Sequence, residues 1–203
     1  MGLYVHSLSR LPLGLERDYY FYVLDYGWDE PLGQAVQANF RRMADLAAKN
    51  KAVVIAGTDS RAFADEILSV HFDGPHLSWS NINGENGEEV LPALMITTIH
   101  PQTFKSEVPG FKPGKIGKGL ANDKMVLIPL RNFCKDTTEV VALIERIFRD
   151  IAAKKPLDGF AIAKEIRGGV DGAYSDAFIL KPGIWGIGID VKELLKTWKA
   201  KRT

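Results

Sequence analysis

Four short apolar runs, each followed by polar side chains, constrain the fold of this chain more than any other feature of its sequence. The runs are Tyr19–Tyr26, Ala52–Gly57, Leu94–Ile99 and Met125–Leu130. Apolar runs of this length, bounded by turn residues, are typical of buried strands. The second run does not alternate between apolar and polar residues, which favours a strand covered on both faces. We therefore predict four strands, and Leu3–Leu8 is a weaker candidate for an edge strand.

The residues between the first two runs predict a helix. Its apolar positions recur at helical spacing and share one face. They are Leu32, Val36, Phe40, Met43 and Ala47. Asp29 precedes this helix as a candidate N-cap, and Pro31 falls in its first turn. A strand, a helix and a second strand within about 40 residues indicate a βαβ unit with a right-handed crossover.

Two more helices follow from apolar spacing and capping residues. The first comes directly after the second strand, with Phe63, Ile67 and Val70 on its apolar face. The second begins after Asp136, which with Glu139 at position N3 fits a capping box. Its apolar stripe comprises Val140, Val141, Ile144, Ile147, Phe148 and Ile151. Stripes of this kind require that each helix cover a face of the sheet.

Three regions differ in composition from the rest. Residues 73–89 are rich in Gly, Asn and Glu, and residues 101–123 are rich in Gly, Pro and Lys, so each predicts a long loop. Beyond residue 156, glycine-rich turns separate short apolar segments. These predict strands at Gly159–Ile166, Ala177–Leu180 and Ile187–Asp190, followed by a terminal helix.

These elements predict a single α/β domain over residues 1–203. Its length of 203 residues suits one domain with a sizeable core. Alternating strands and helices at 19–155 form the βα core, with a mainly parallel central sheet flanked by helices. The segment 156–203 adds a mixed or antiparallel C-terminal portion with a terminal helix.

The composition limits the classes of function. The net charge is +1, so no overall basic excess favours a nucleic-acid partner. No apolar run approaches 18 residues and no leader is visible, so we expect a cytoplasmic protein without a membrane partner. The single cysteine, Cys134, excludes an intrachain disulfide. The sequence is compatible with a homo-oligomer, and it contains no motif that identifies a cofactor or a metal site.

The polar residues that follow the runs are the candidate site, because ligands bind beyond the carboxyl ends of strands in open α/β sheets. We predict catalytic roles for Asp25, Asp59 and His100. An aspartate in an apolar strand end should have a raised pKa, and a histidine titrates near neutral pH, so either can serve as a base. The predicted ligand-binding residues are Asp29, Thr58, Ser60, Arg61 and Arg131, which combine a helix N-terminus with two guanidinium groups.

Three functions are compatible with these residues. The leading hypothesis is a small-ligand-binding domain, with an anionic ligand such as a nucleotide or phosphorylated metabolite held at the strand ends beneath a basic flap at 105–118. The second is a hydrolase or group transferase that uses the same aspartates and histidine. The third is an interaction or sensor protein without catalysis, with aromatic residues at 19–28 as anchors. Cys134 with His100 is a further candidate pair of nucleophile and base.

Overall fold

The computed structural model describes residues 1–12, 14–27, 30–72, 91–101, 125–169 and 179–180. Within these residues the chain forms a six-stranded sheet in the order β1-β3-β2-β4-β5-β6. The strands are β1 (Gly2–Val5), β2 (Tyr19–Leu24), β3 (Ala52–Gly57), β4 (Ala93–Thr97), β5 (Met125–Pro129) and β6 (Ile179–Leu180). Each predicted apolar run thus supplies one strand, and the fold belongs to the α/β class.

The sheet is mixed rather than mainly parallel. β3 lies between β1 and β2 and runs parallel to both. β4 pairs with β2 in the antiparallel direction, and β5 and β6 continue the antiparallel pairing. Among the described strands, the predicted parallel arrangement therefore holds for two of the five pairs. Apolar patterning identifies a strand but does not encode the direction of its neighbour, which explains the difference.

Two helices connect β2 to β3, where one was predicted. They are α1 (Pro31–Ala38) and α2 (Phe40–Lys49). The chain bends between them at Asn39, whose side-chain amide donates to the Ala35 carbonyl at 2.8 Å. A side chain that bonds to the backbone in this way competes with regular helix geometry. The predicted apolar stripe is nevertheless confirmed, since all five of its residues are buried.

α3 (Ser60–Phe72) follows β3, and three more helices follow β5. They are α4 (Leu130–Phe133), α5 (Thr137–Ala152) and α6 (Ala161–Gly169). The predicted N-cap of α5 at Asp136 is confirmed, whereas the Glu139 side chain bonds to the N–H of Lys135 and not to that of Asp136, as a capping box would require. The Glu139 N–H donates to Asp136 Oδ1 at 2.9 Å, and Glu139 Oε2 accepts from the Lys135 N–H at 2.7 Å.

The strand predicted at Gly159–Ile166 is wrong. This segment contains the end of a 3₁₀ turn (Leu157–Gly159) and most of α6. Phe160, Ile162 and Ala163 are buried, and an apolar run this short fits a strand and a buried helix equally well by pattern alone. The strand predicted at Ala177–Leu180 overlaps β6 at residues 179–180, and its first two residues lie outside the described residues.

The helices cover both faces of the sheet. Phe21 stacks on Phe148 of α5 with ring centroids 5.5 Å apart, whereas the neighbouring Tyr22 meets Phe63 of α3 at 6.3 Å. Successive side chains of a strand point to opposite faces, so α5 and α3 lie on opposite sides of the sheet. α1 and α2 both contact α5 and therefore share its side.

The aromatic run of β2 belongs to the core. Its residues from Tyr19 to Tyr22 are all buried, so they are not available as the interface anchors of the third hypothesis. Several predicted features lie outside the described residues: Trp28, Asp29, the loop at 73–89, the loop at 101–123 beyond its first residue, and the elements at 187–203. None of the helices in the described part of the chain is long and apolar enough to cross a membrane.

Candidate functional site

The carboxyl ends of four strands lie along one edge of the sheet. β1, β2 and β3 run in one direction, and β5 shares that direction because two successive antiparallel pairings separate it from β2. Asp25, Thr58 and Arg131 follow β2, β3 and β5, so the fold brings these three predicted residues to the same edge.

His100 lies at the opposite edge. It follows β4, and its ring meets the ring of Tyr20 near the start of β2, with centroids 5.5 Å apart. The expectation that His100 joins Asp25 and Asp59 in one site is therefore wrong, because β4 runs antiparallel to β2. The suggested pair of Cys134 and His100 fails for the same reason, since Cys134 follows β5.

The adjacent strands β2 and β3 send their connections to opposite faces of the sheet. β2 leads into α1 on the side of α5, and β3 leads into α3 on the other side. A crevice forms where neighbouring connections diverge, and it is the usual ligand site in open α/β sheets. A cleft of about 500 Å³ opens at this point. Its lining residues are Tyr4, Asp25, Gly27, Gln34, Gln37, Gly57, Thr58 and Ser60.

Asp25 is the buried acid of this cleft, with 6% of its surface exposed. Burial raises its pKa above the ordinary 3.8, and the charge of Glu30 raises it further. Backbone N–H groups of Gly27 and Tyr26 and the charge of Arg131 act in the opposite direction. The Gly27 N–H donates to Oδ1 at 3.2 Å. A carboxylate accepts up to about four hydrogen bonds, and the backbone N–H groups that Asp25 receives from the described residues use only part of this capacity.

Gly33 allows the Asp25 carboxylate to lie against α1. A Cβ at position 33 would lie 2.8 Å from Asp25 Oδ2 and 3.3 Å from Asp25 Cγ. Gly33 is the third residue of α1, so the carboxylate packs on the first turn of this helix, where the helix dipole favours negative charge. Any larger residue at this position would displace the carboxylate.

Two further glycines shape the floor of the cleft. Gly27 has a φ of +72°, and a Cβ there would lie 3.9 Å from Ser60 Cβ, so the end of β2 adjoins the start of α3. Gly57 ends β3, and a Cβ there would lie 2.3 Å from Phe63 Cβ. Glycine at position 27 allows the left-handed backbone at this turn, and glycine at position 57 makes room for the Phe63 side chain against the end of β3.

Thr58 is hydrogen-bonded to a histidine that the sequence analysis missed. Thr58 Oγ1 and His6 Nδ1 are 2.6 Å apart, and both residues are exposed. The Thr58 N–H donates to the Val5 carbonyl at 2.9 Å, so the pairing of β1 with β3 fixes this contact. The strand predicted at Leu3–Leu8 included His6 and so gave it no role at a strand end. In the structure β1 ends at Val5, and His6 is the first residue beyond it.

Asp59 caps a helix. Its Oδ1 accepts from the Ala62 N–H at 3.0 Å, and its carbonyl accepts from the Phe63 N–H at 3.1 Å. A carboxylate at this position satisfies the first N–H groups of α3 and occupies the place that an anion would take. Asp59 is exposed and is absent from the described lining of the cleft. Its observed contacts are those of a structural cap rather than of a catalytic group.

The two predicted guanidinium groups have partners within the protein. Arg131 donates through Nε and Nη2 to the two carboxylate oxygens of Glu30, each at 2.8 Å. Arg61 lies over the Tyr26 ring, 5.7 Å from its centroid. Neither residue is among the described residues that line the cleft. Ser60 does line it, beside Thr58.

Three lining residues escaped the sequence analysis: Tyr4, Gln34 and Gln37. Tyr4 comes from the edge strand β1, and the two glutamines come from the exposed part of α1. The glutamines are three residues apart, which places them on one face of a helix. That spacing was the available signal, but nothing in the sequence aligned this helix face with β1.

Cys134 has the surroundings of an unreactive thiol. It is buried, and burial together with the charge of Glu139 raises the pKa of its thiol to about 12. A thiol with such a pKa stays protonated at neutral pH and is a poor nucleophile. In the described ranges, no group of three or more His, Cys, Asp or Glu side chains is arranged to hold a metal ion.

No family model matches this chain, and neither a curated protein nor a solved structure shows significant similarity to it. The chemistry of the cleft is therefore the basis for assigning a function.

Proposed function

We propose that this protein binds a small, uncharged, hydroxyl-bearing molecule in the cleft between the ends of β2 and β3. One observation carries the proposal. A buried carboxylate, Asp25, lines a cleft whose other described polar side chains are neutral hydroxyls and amides. A carboxylate accepts strong hydrogen bonds from hydroxyl groups, and neutral side chains can complete the contacts to a polyol or sugar.

The charges around the cleft argue against the anionic ligand of the leading hypothesis. Asp25 contributes a negative charge, and the Arg131 guanidinium is already bound by Glu30. The Asp59 carboxylate occupies the N-terminus of α3, where a phosphate would otherwise bind. An anion entering the described cleft would meet a carboxylate without a lining arginine or lysine to balance it.

Ligand-induced stabilisation tests this proposal. Wild-type protein is heated with neutral sugars and nucleosides and, separately, with their phosphorylated forms. A ligand at about 100 times its Kd stabilises the protein by about 2.7 kcal/mol. For a chain of this size, the Tm then rises by roughly 5–10 °C.

Two variants locate the binding site. Asp25→Asn should abolish the rise in Tm, because an amide accepts weaker hydrogen bonds from hydroxyls. Asp59→Ala should preserve the rise, because that carboxylate serves α3. A Tm rise confined to phosphorylated compounds, or one retained in full by Asp25→Asn, would sink the proposal.

A hydrolase or group transferase is the second candidate, and the burial of Asp25 favours it. Burial raises the pKa of the Asp25 carboxyl, and a carboxylate with a raised pKa in a cleft is a candidate general base. The cleft also contains the Thr58 hydroxyl held by His6. For any ligand that binds, product formation should stop in Asp25→Asn. Turnover that is unchanged in this variant would exclude Asp25 as the base.

A further inference from the structure

Tyr4 is the one large hydrophobic residue of the described chain that is substantially exposed, at 53% of its surface. It also lines the cleft that contains Asp25. A single exposed aromatic residue on a protein surface is ordinary. An exposed aromatic residue that lines a polar cleft can in addition contact a ligand. Aromatic side chains in such positions bind planar groups by stacking.

The Tyr4 ring packs on the protein core with one of its sides. It packs on Phe40 of α2 with ring centroids 4.3 Å apart and the planes inclined by 35°. Phe40 is buried, so it supports one side of the Tyr4 ring from the core. The Tyr4 hydroxyl donates to Gln37 Oε1 at 3.5 Å, across the cleft wall. A ring that is packed in this way loses little conformational entropy when a ligand stacks on its exposed side.

Two amide side chains line the cleft together with this ring. Gln34 and Gln37 lie on the same face of α1 and line the same cleft. An amide offers both a donor and an acceptor, which matches the hydrogen-bonding edge of a nucleobase. At the other end of the lining, the Asp25 carboxylate suits the hydroxyl groups of a sugar.

We propose that the ligand is a nucleoside, with its base stacked on Tyr4, the edge of the base at Gln37 and Gln34, and its sugar hydroxyls at Asp25. This inference rests on the proposed function, because it assigns parts of one ligand to the same cleft. A volume of about 500 Å³ lies within the usual range for small-molecule sites and is sufficient for a base and a pentose.

Calorimetric titration tests the inference with purine and pyrimidine nucleosides and with methyl riboside, which lacks a base. The wild-type protein should bind at least one nucleoside about tenfold or more tightly than methyl riboside, as expected from base stacking. Tyr4→Ala should remove this advantage, so that this variant binds the nucleoside and methyl riboside with equal affinity. Tyr4→Phe, which keeps the ring, should retain most of it.

A third variant separates stacking from folding. Tyr4→Leu keeps an apolar cover over Phe40 but has no planar face, so it should fold like the wild type and still lose the preference for nucleosides. Equal affinities of wild type for nucleosides and methyl riboside would overturn the inference and leave the proposed function intact. Binding of neither compound would overturn the inference, and the proposed function would fail as well only if the neutral sugars of the thermal test also left the Tm unchanged. A nucleoside preference that survives in Tyr4→Leu would overturn the stacking role alone.

Discussion

Two buried aspartates in this molecule have opposite surroundings. Asp150, near the end of α5, is 3% exposed, and Asp25, after β2, is 6% exposed. Asp150 Oδ1 accepts from Lys155 Nζ at 2.5 Å, and its Oδ2 accepts from the Ala161 N–H at 2.6 Å. Asp25 has no ion pair of its own within the described chain; it receives backbone N–H groups and borders open space.

The difference shows how a buried carboxylate can be used. Asp150 joins the end of α5 to the start of α6, and both of its oxygens serve that junction. Within the described residues Asp25 joins no two helices in this way, and its burial is compensated only in part, as the rise in its pKa indicates. A buried acid whose oxygens are all used supports the fold, whereas one that keeps free acceptor sites beside a cleft can serve a ligand.

The largest expected effect is the difference in stability between two variants, in which either Asp150 or Asp25 is replaced by asparagine. Asp150→Asn should lower the free energy of unfolding by about 2 kcal/mol, because an amide cannot pair with the ammonium group of Lys155 and satisfies the Ala161 N–H less well. The Tm should fall by roughly 4–8 °C. Asp25→Asn should leave stability at neutral pH unchanged or increased, since it removes a desolvated charge. Urea unfolding measures the free energy of unfolding of both variants. Equal losses of stability would contradict the different roles assigned to the two aspartates.

The second effect concerns the space that Gly33 leaves for Asp25. Gly33→Ala should destabilise the protein by about 1–2 kcal/mol, although alanine is the better helix former, because its Cβ would overlap Asp25 Oδ2. The same substitution in an Asp25→Ala background should be neutral or stabilising. This double-mutant cycle isolates the contact, and additive effects in the cycle would show that position 33 does not restrain the carboxylate.

The third effect tests Asp59, a carboxylate at the same edge of the sheet. Asp59→Ala should cost about 1 kcal/mol through the lost N-cap of α3, and Asp59→Ser should recover most of that loss. Neither variant should change ligand affinity. Titration calorimetry beside thermal unfolding would check both statements, and a large loss of affinity in Asp59→Ser would return Asp59 to the binding site.

The smallest effect is a pH dependence specific to Asp25. Its pKa is higher in the folded protein than the ordinary 3.8, so the folded state binds the proton more tightly than the unfolded state does. The resulting stability is complete below the ordinary pKa and is lost as pH rises through the folded pKa. Wild-type stability minus that of Asp25→Asn should therefore fall as pH rises from the ordinary pKa of 3.8 through the higher pKa of the folded protein. A difference that grows with pH would contradict the assigned direction.

Local signals in the sequence were sufficient for much of the fold. The N-cap of α5 and its apolar stripe are encoded within one segment, so they could be predicted without knowledge of the rest of the chain. The same applies to the four core strands. Asp25 could be singled out because a carboxylate at the end of an apolar strand is chemically conspicuous wherever the strand lies.

The errors came from properties that depend on remote partners. His100 was placed at the wrong edge because the direction of β4 is set by its pairing with β2. Tyr4 and Gln37 were missed because they meet only when β1 and α1 are brought together. The segment of α6 was taken for a strand because its start is fixed by Asp150, eleven residues earlier in the chain.

Gly57 has a consequence for tracing the ancestry of this protein. A Cβ there would lie 2.3 Å from Phe63 Cβ and 2.6 Å from the Asp59 carbonyl oxygen, so drift at this position is blocked by backbone as well as by side chain. Gly33 is restricted in a similar way by the acid eight residues before it. We therefore expect distant relatives with this fold to retain glycine at the positions of Gly33 and Gly57 even where their surfaces differ. These glycines, together with Asp25, should therefore remain recognisable in relatives whose overall sequence identity to this chain is low.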